Sequence, residues 1–580
     1  MSTAISTAIF MKKTQLFSIL FLFLFLKTNF AFAQTYAKNG MVASSSKIAS
    51  QVGIDILKKG GNAIDASVAT AFALAVTHPS AGNIGGGGFL VFMNASGETT
   101  TIDFREKAPL KASPTMFLDA DGMLTKGKDL NGKNSTGNHI GAKSIGVPGT
   151  VAGLYLAYQK YGSLPWAELV QPAIDLAKNG FPLTYSLSMD ATFFEANSPI
   201  PFLQNYFKKG NGILTQFGEL WKQPALAATL IEIRNHGKDG FYKGIIAKEI
   251  IRFMEENGGI ISIKDLEKYT AIERKPIKGT YKNYEIYSMP PPSSGGVALI
   301  EMMNLMELAD LDSIEFNSTE YVHLITEVMR RAFADRAHYL GDPDFNDNQS
   351  LEKLTSKGFA KKRFENIDQS KASVSDSTKF GQIYDGTNTT HFSVLDKSGN
   401  AVSLTYTLEH SYGSGMGSDA LGFIFNNEMG DFNPVPGATT STGQIGTNPN
   451  LIQPEKRMLS SMTPTIVAKD GKPYLIIGSP GGRTIINTVF QTVLNAVGYN
   501  MQVDKAIEAV KIHHAWLPNT LFYEKGLLSP DTIKALEAMN HKLEPVAVLG
   551  QLMGIQIDAK NNIIIGAADS SSPDGAAVGY

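Results

Sequence analysis

Three hydroxyl-bearing residues and an imidazole fall within five positions at Thr389-Thr390-His391-Phe392-Ser393. A threonine hydroxyl is a weak nucleophile at neutral pH until a base takes its proton. No downstream His or Asp is spaced to suggest a chymotrypsin-like or subtilisin-like arrangement. A different base is at hand if the chain is cut between Asn388 and Thr389. The new α-amino group of Thr389 would then lie within reach of its own Oγ. Such an amine titrates at about 7.7–8.0, near the range a general base needs. The competing reading of these five residues is the plain start of a β-strand, where threonine is common.

The surrounding sequence positions this threonine. A polar segment, Tyr384-Asp385-Gly386-Thr387-Asn388, has the residues of an exposed loop. After it, Phe392-Ser393-Val394-Leu395 and Ala401-Val402-Ser403-Leu404-Thr405-Tyr406-Thr407 read as strands joined by Asp396-Lys397-Ser398-Gly399-Asn400, a hairpin turn. A turn centred on Ser398 pairs residues equidistant from it. Thr389 then lies opposite Thr407, a second hydroxyl placed to hold the first, and a slip of one residue would break the pairing.

Elsewhere the glycine-rich segments set the pattern. Residues 46–58 and 63–76 read as helices, the first stopped by Gly60-Gly61 and the second apolar enough to be buried. Asn83-Ile84-Gly85-Gly86-Gly87-Gly88 precedes a strand, whereas phosphate-cradling glycines open a helix; close backbone packing is the better reading. Arg105, in Asp103-Phe104-Arg105-Glu106, reads as a surface cation or as a planar clamp for a carboxylate. Residues 115–140 read as a surface loop, 151–161 and 297–308 as helices, and 365–388 as a polar, loop-like lead into Thr389. The arginines of a helix at 318–338 read as an ion-pair face. A strand is expected at 423–427, a long loop at 433–457, strands at 464–468 and 473–478, and a helix at 485–497. Gly481-Gly482, between strand and helix, suits an oxyanion hole or a tight turn. The C-terminal run of small residues carries no assigned chemistry.

Composition bounds the class. The 580 residues are 43% hydrophobic with a net charge of −2, which gives no electrostatic case for nucleic acid. Lys12-Lys13, an apolar run from Leu16 to Leu26 and Ala31-Phe32-Ala33 predict a secretory signal peptide over 1–33 and a mature start at Gln34. The run is short of the roughly 20 residues a membrane span needs. There is no cysteine, which excludes a thiol nucleophile, a thiolate metal site and disulfide support.

Taken together, the segments resemble the γ-glutamyltranspeptidases, secreted N-terminal-nucleophile hydrolases, over nearly the whole chain after residue 33. In family order stand Gly61-Asn62-Ala63-Ile64-Asp65-Ala66, Asn83-Ile84-Gly85-Gly86-Gly87, Asp103-Phe104-Arg105-Glu106, Pro148-Gly149-Thr150, Pro292-Ser293-Ser294-Gly295-Gly296, Thr389-Thr390-His391, Ser460-Ser461-Met462 and Gly478-Ser479-Pro480-Gly481-Gly482. The resemblance implies an α+β, four-layer αββα sandwich built jointly by two subunits of one precursor, 34–388 and 389–580, cut at Asn388/Thr389. It implies Thr389 as nucleophile, Thr407 as its holder, and Gly481 and Gly482 as oxyanion donors. Arg105, Ser460 and Ser461 would bind an α-carboxylate, and Glu409, Glu428 and Asp431 an α-amine.

The implied reaction passes a γ-glutamyl group from a glutathione-like donor to Thr389, then to water or an amino acid or peptide acceptor. It requires no metal or organic cofactor. The expected location is the periplasm or medium. Family members carry Asn or Glu at the place of Glu409, and Thr442 stands near the place where some set an aromatic over the site. The rival readings are a cephalosporin or glutaryl acylase of the same superfamily, a secreted inactive binding homologue and a nucleotide-binding protein; the last fails on motif order.

Overall fold

In the computed structural model the described residues are 34–347, 350–375, 389–438 and 446–580. The signal-peptide segment, Asn388 and Thr442 lie outside them.

The hairpin is the centre of one sheet. Thr389–Leu395 and Ala401–Thr407 pair antiparallel, with Thr389 opposite Thr407 and Leu395 opposite Ala401, the register expected from the turn at Ser398. Met41–Ser44 and then Ala576–Gly579 extend the sheet on one side. Gly87–Met93, Thr99–Phe104 and Ile272–Arg274 extend it on the other. A second seven-stranded antiparallel sheet runs Gln34–Ala37, Ile563–Ala568, Met553–Asp558, Lys472–Gly478, Thr465–Lys469, Tyr284–Ser288, Ile277–Tyr281. Every residue of both hairpin strands is buried, so neither strand shows a wet face.

Side-chain alternation explains this burial. Phe392, Val394 and Leu404 join the core under the first helical layer, whereas Leu395 and Ala401 join the core between the sheets with Ile476, Met553 and Ile555. Polar groups in the inter-sheet layer are matched across it: Ser393 Oγ donates to Met553 O at 3.1 Å, and Ser403 Oγ to Ile477 O at 3.0 Å. His391 faces the same layer, and a Cβ on Gly478 would stand 2.3 Å from its Nδ1, so only glycine lets the sheets approach here.

Helices cover both outer faces. Ala63–Thr77 is entirely buried and starts at a reciprocal cap: Asn62 Oδ1 accepts from Asp65 N at 3.0 Å, and Asp65 Oδ2 accepts from Asn62 N at 2.9 Å. It packs on the hairpin, where Tyr406 Oη donates to Ala71 O at 2.9 Å. Gly295–Met306, Thr319–Tyr339 and Thr484–Val497 share the core on the far side of the second sheet. The four layers are αββα.

Three local expectations change. Residues 423–427 form no strand: Ile424 makes an isolated bridge to Gly417, because Asn426 is spent on capping Gly85 O and Gly146 O. The surface loop at 115–140 contains a small hairpin, Lys126–Lys128 with Asn134–Thr136, and ends in the buried Asn138 and His139. Arg105 is fully buried rather than a surface cation. Among the described residues no helix is long and apolar enough to cross a membrane.

Candidate active site

Thr389 and Thr407 sit at the open end of the hairpin, where Thr389 Oγ1 donates to Thr407 Oγ1 at 3.3 Å. Thr407 Oγ1 also accepts from Glu409 N at 2.8 Å. The Thr407 carbonyl is fixed by Asn83 Nδ2 at 2.9 Å, and a Cβ on Gly86 would stand 2.0 Å from that oxygen. The glycine run therefore serves backbone approach to the threonine pair.

Strand alternation points Thr389 to the same face as His391, toward the second sheet. There the chain leaving Lys472–Gly478 reaches Gly481 and Gly482, at φ +130 and +57. Their carbonyls accept from the first turn of Thr484–Val497, Thr484 N to Gly481 O at 3.1 Å and Ile485 N to Gly482 O at 3.2 Å. Gly482 lines the cavity beside Thr389; Gly481 stands next to it, outside the lining.

That cavity, about 30 Å³, brings Thr389, Thr407, Arg105, Glu409, Glu428, Asp431, Ser460 and Ser461 together. A larger cavity of about 970 Å³, lined by His139, Ile200, His410 and Met416, does not include Thr389. Convergence of polar groups, not volume, marks the site.

Arg105 is held on every side. Nε donates to Met458 O at 3.3 Å, Nη1 to Glu428 and Nη2 to Asp431, and Glu106 lies 3.6 Å from Nη1. Burial opposes its charge, yet Glu428, Asp431 and Glu106 hold the guanidinium well above its ordinary value. Burial raises the Glu428 carboxyl well above the usual range against the pull of Arg105. It pushes Glu106 up to about 8.

Ser460 and Ser461 are set by the turn before Gly295–Met306: Ser460 N donates to Pro292 O at 2.9 Å, and Ser294 Oγ to Ser460 O at 2.6 Å. His391, next to the threonine, is no base. Burial pushes its imidazole down to about 3, and Nδ1 lies 2.8 Å from Thr405 Oγ1.

Three residues escaped the sequence reading. Arg336 leaves the ion-pair face of its helix and lines the cavity, with Nη2 donating to Ser461 Oγ at 3.0 Å. His139 Nδ1 lies 2.8 Å from Glu409 Oε1, and His410 stacks on His139 with ring centroids 4.9 Å apart. Only the acidic and hydroxyl partners of these residues carried a motif. Glu409 itself has φ +76, an uncommon conformation for a non-glycine residue.

A four-layer αββα sandwich with a buried threonine heading an inner strand is the N-terminal-nucleophile hydrolase fold. The family model for gamma-glutamyltranspeptidase matches residues 49–579. The glutathione hydrolase proenzyme of Escherichia coli (strain K12) is 44% identical, covering 94% of this chain and 92% of that protein. That of Bacillus subtilis (strain 168) is 39% identical over 93% and 92%. Among solved structures, a cephalosporin acylase from Bacillus halodurans matches with a TM-score of 0.79 at 26% identity, covering 94% of this chain and 97% of that one. Helicobacter pylori gamma-glutamyltranspeptidase matches with a TM-score of 0.54 at 43% identity over 57% of this chain and 92% of that one. The chain belongs to the γ-glutamyltranspeptidase family.

Proposed function

We propose that the chain is a secreted, self-processing γ-glutamyltransferase and glutathione hydrolase. Thr389 Oγ attacks the carbonyl carbon of Asn388, the C–N bond breaks with a proton passing to the leaving nitrogen, and water hydrolyses the resulting ester. Residues 34–388 and 389–580 then form the large and small subunits. Both sheets contain strands from both pieces, paired edge to edge, so the cut leaves one folded body.

In turnover the freed α-amine of Thr389 takes the Oγ proton as Oγ attacks the γ-carbonyl of a donor such as glutathione. The amine leaves with a proton, and a γ-glutamyl ester remains on Thr389. Water, or an amino acid or peptide amine, then takes the acyl group. Thr407 holds the nucleophile, and the N–H groups of Gly481 and Gly482 face the developing oxyanion. Arg105, Ser460 and Ser461 receive the α-carboxylate; Glu409, Glu428 and Asp431 receive the ammonium.

The observation that carries this reading is the convergence of Thr389, a hydroxyl partner, buried cations and three carboxylates in one cavity of a chain of this family. Acids around Arg105 suit a head group bearing both charges better than the side chain of a glutaryl or cephalosporin substrate. The test is a denaturing gel with intact mass on wild type and Thr389→Ala. Two wild-type fragments meeting at Asn388/Thr389, an intact mutant, and release of 4-nitroaniline from a γ-glutamyl anilide by wild type alone are expected. An intact wild-type chain after long incubation refutes the reading.

A further inference from the structure

The cavity holds a cation that the roles above leave unused. Arg336 lies in the last turn of Thr319–Tyr339, buried to 5% exposure. Its helix neighbours close among themselves or on nearby segments: Arg330 Nε and Arg331 Nη1 donate to Glu327 at 3.1 and 2.7 Å, and Arg363 pairs with Asp335. Arg336 sends Nε to Ser294 Oγ at 2.7 Å and Nη2 to Ser461 Oγ at 3.0 Å.

Two consequences follow from the direction of these bonds. Ser461 Oγ accepts from a guanidinium, so its own proton remains to be donated elsewhere, and the hydroxyl is polarised into a better donor. Ser294, fixed by Arg336, also donates to Ser460 O at 2.6 Å, so one guanidinium ties the 292–296 turn to the 460–461 segment.

Charge gives the second argument. The Nη groups of Arg105 are engaged by Glu428 and Asp431, with Glu106 at 3.6 Å. Both Nη groups at that end are taken up by protein carboxyls, whose oxygens can accept from an ammonium. A carboxylate entering beside it needs a cation on its other side. Arg483, also on the wall, turns Nη1 toward Leu517 O at 3.5 Å. Arg336 faces the serine.

We propose that Arg336 is a positioning and specificity-determining residue for the donor's α-carboxylate, acting through the Ser461 hydroxyl and as its distal countercharge. This rests on the γ-glutamyl reading of the cavity.

The test uses the processed enzyme as wild type, Arg336→Gln and Arg336→Lys. Two donors are compared: γ-glutamyl-4-nitroanilide and 4-aminobutanoyl-4-nitroanilide, which lacks the α-carboxylate. Arg336→Gln should raise KM for the first about ten- to hundredfold, as loss of a charge-assisted contact predicts. Its kcat should stay within about threefold, and kcat/KM for the second donor should be unchanged. Arg336→Lys should recover part of the loss. An unchanged KM in Arg336→Gln overturns the proposal. So does an equal loss on both donors in both variants, the mark of a merely structural residue. A wild type inert toward both donors would bring down the functional reading and this proposal with it.

Discussion

Replacing Thr407 by valine keeps the shape of the side chain and removes one oxygen. Among the described residues that oxygen accepts from Glu409 N at 2.8 Å and from Thr389 Oγ1 at 3.3 Å. The first is a stability matter. Glu409 is 3% exposed, so its N–H would be left buried without this acceptor, at a cost of ~1–3 kcal/mol. The second is a matter of turnover. A neutral hydrogen bond is worth ~0.5–1.5 kcal/mol net, or roughly two- to twelvefold in rate. The 3.3 Å separation puts this one in the lower half. Thr407→Val should therefore melt below wild type and lose about two- to fivefold in kcat on a γ-glutamyl anilide. KM should not move, since the contact acts on the nucleophile and not on the donor. Fragment formation on a denaturing gel should slow by a similar factor, because the same hydroxyl attacks in both reactions. Thr407→Ser, which keeps the oxygen, should stay near wild type in each. A Thr407→Val enzyme with wild-type melting and turnover, or a serine variant as impaired as the valine one, would refute the reasoning.

Two further outcomes are expected. Arg105→Met strands Glu428 and Glu106 in the core without their countercharge and should destabilise by ~3–5 kcal/mol. Burial already raises both carboxyls, Glu106 to about 8, so wild type and variant lose stability in parallel from pH 5 to 8 and urea melts should show the deficit growing only above about pH 8; a deficit that grows between pH 5 and 7 would contradict this. His391 is held down to about 3 by burial, against 6.5 for a free imidazole. Unfolded, it takes a proton that the folded chain refuses until about pH 3. Its contribution is fully present above pH 6.5 and is lost on acidification through that window, at ~1.4 kcal/mol per pH unit. The stability gap between wild type and His391→Asn should narrow accordingly between pH 6.5 and 4.5, and a constant gap would sink the argument.

What the sequence determined by itself is local. A strand alternates with period two and a short turn fixes its register, so the pairing of Thr389 with Thr407 followed from the position of Ser398 and reappears in the structure. The same holds for the close approach at the glycine run, where a Cβ on Gly86 would stand 2.0 Å from Thr407 O. Eight short motifs in one order pointed to the family because each marks a backbone constraint or a charge at a fixed place in the chain.

The tertiary structure decided the rest. Arg105 meets Glu428 and Asp431 across more than three hundred residues, and no local pattern says whether a guanidinium faces water or two acids. Arg336 shares its helix with the ion-paired Glu327, Arg330, Arg331 and Asp335, and only the packing of that helix against the 292–296 turn sends it to Ser461. His139 sits in a stretch whose composition reads as surface loop, yet burial brings it to Glu409. Helical and strand periods say which residues share a face. Which faces meet, and so which charges share a cavity, is fixed by the stacking of four layers.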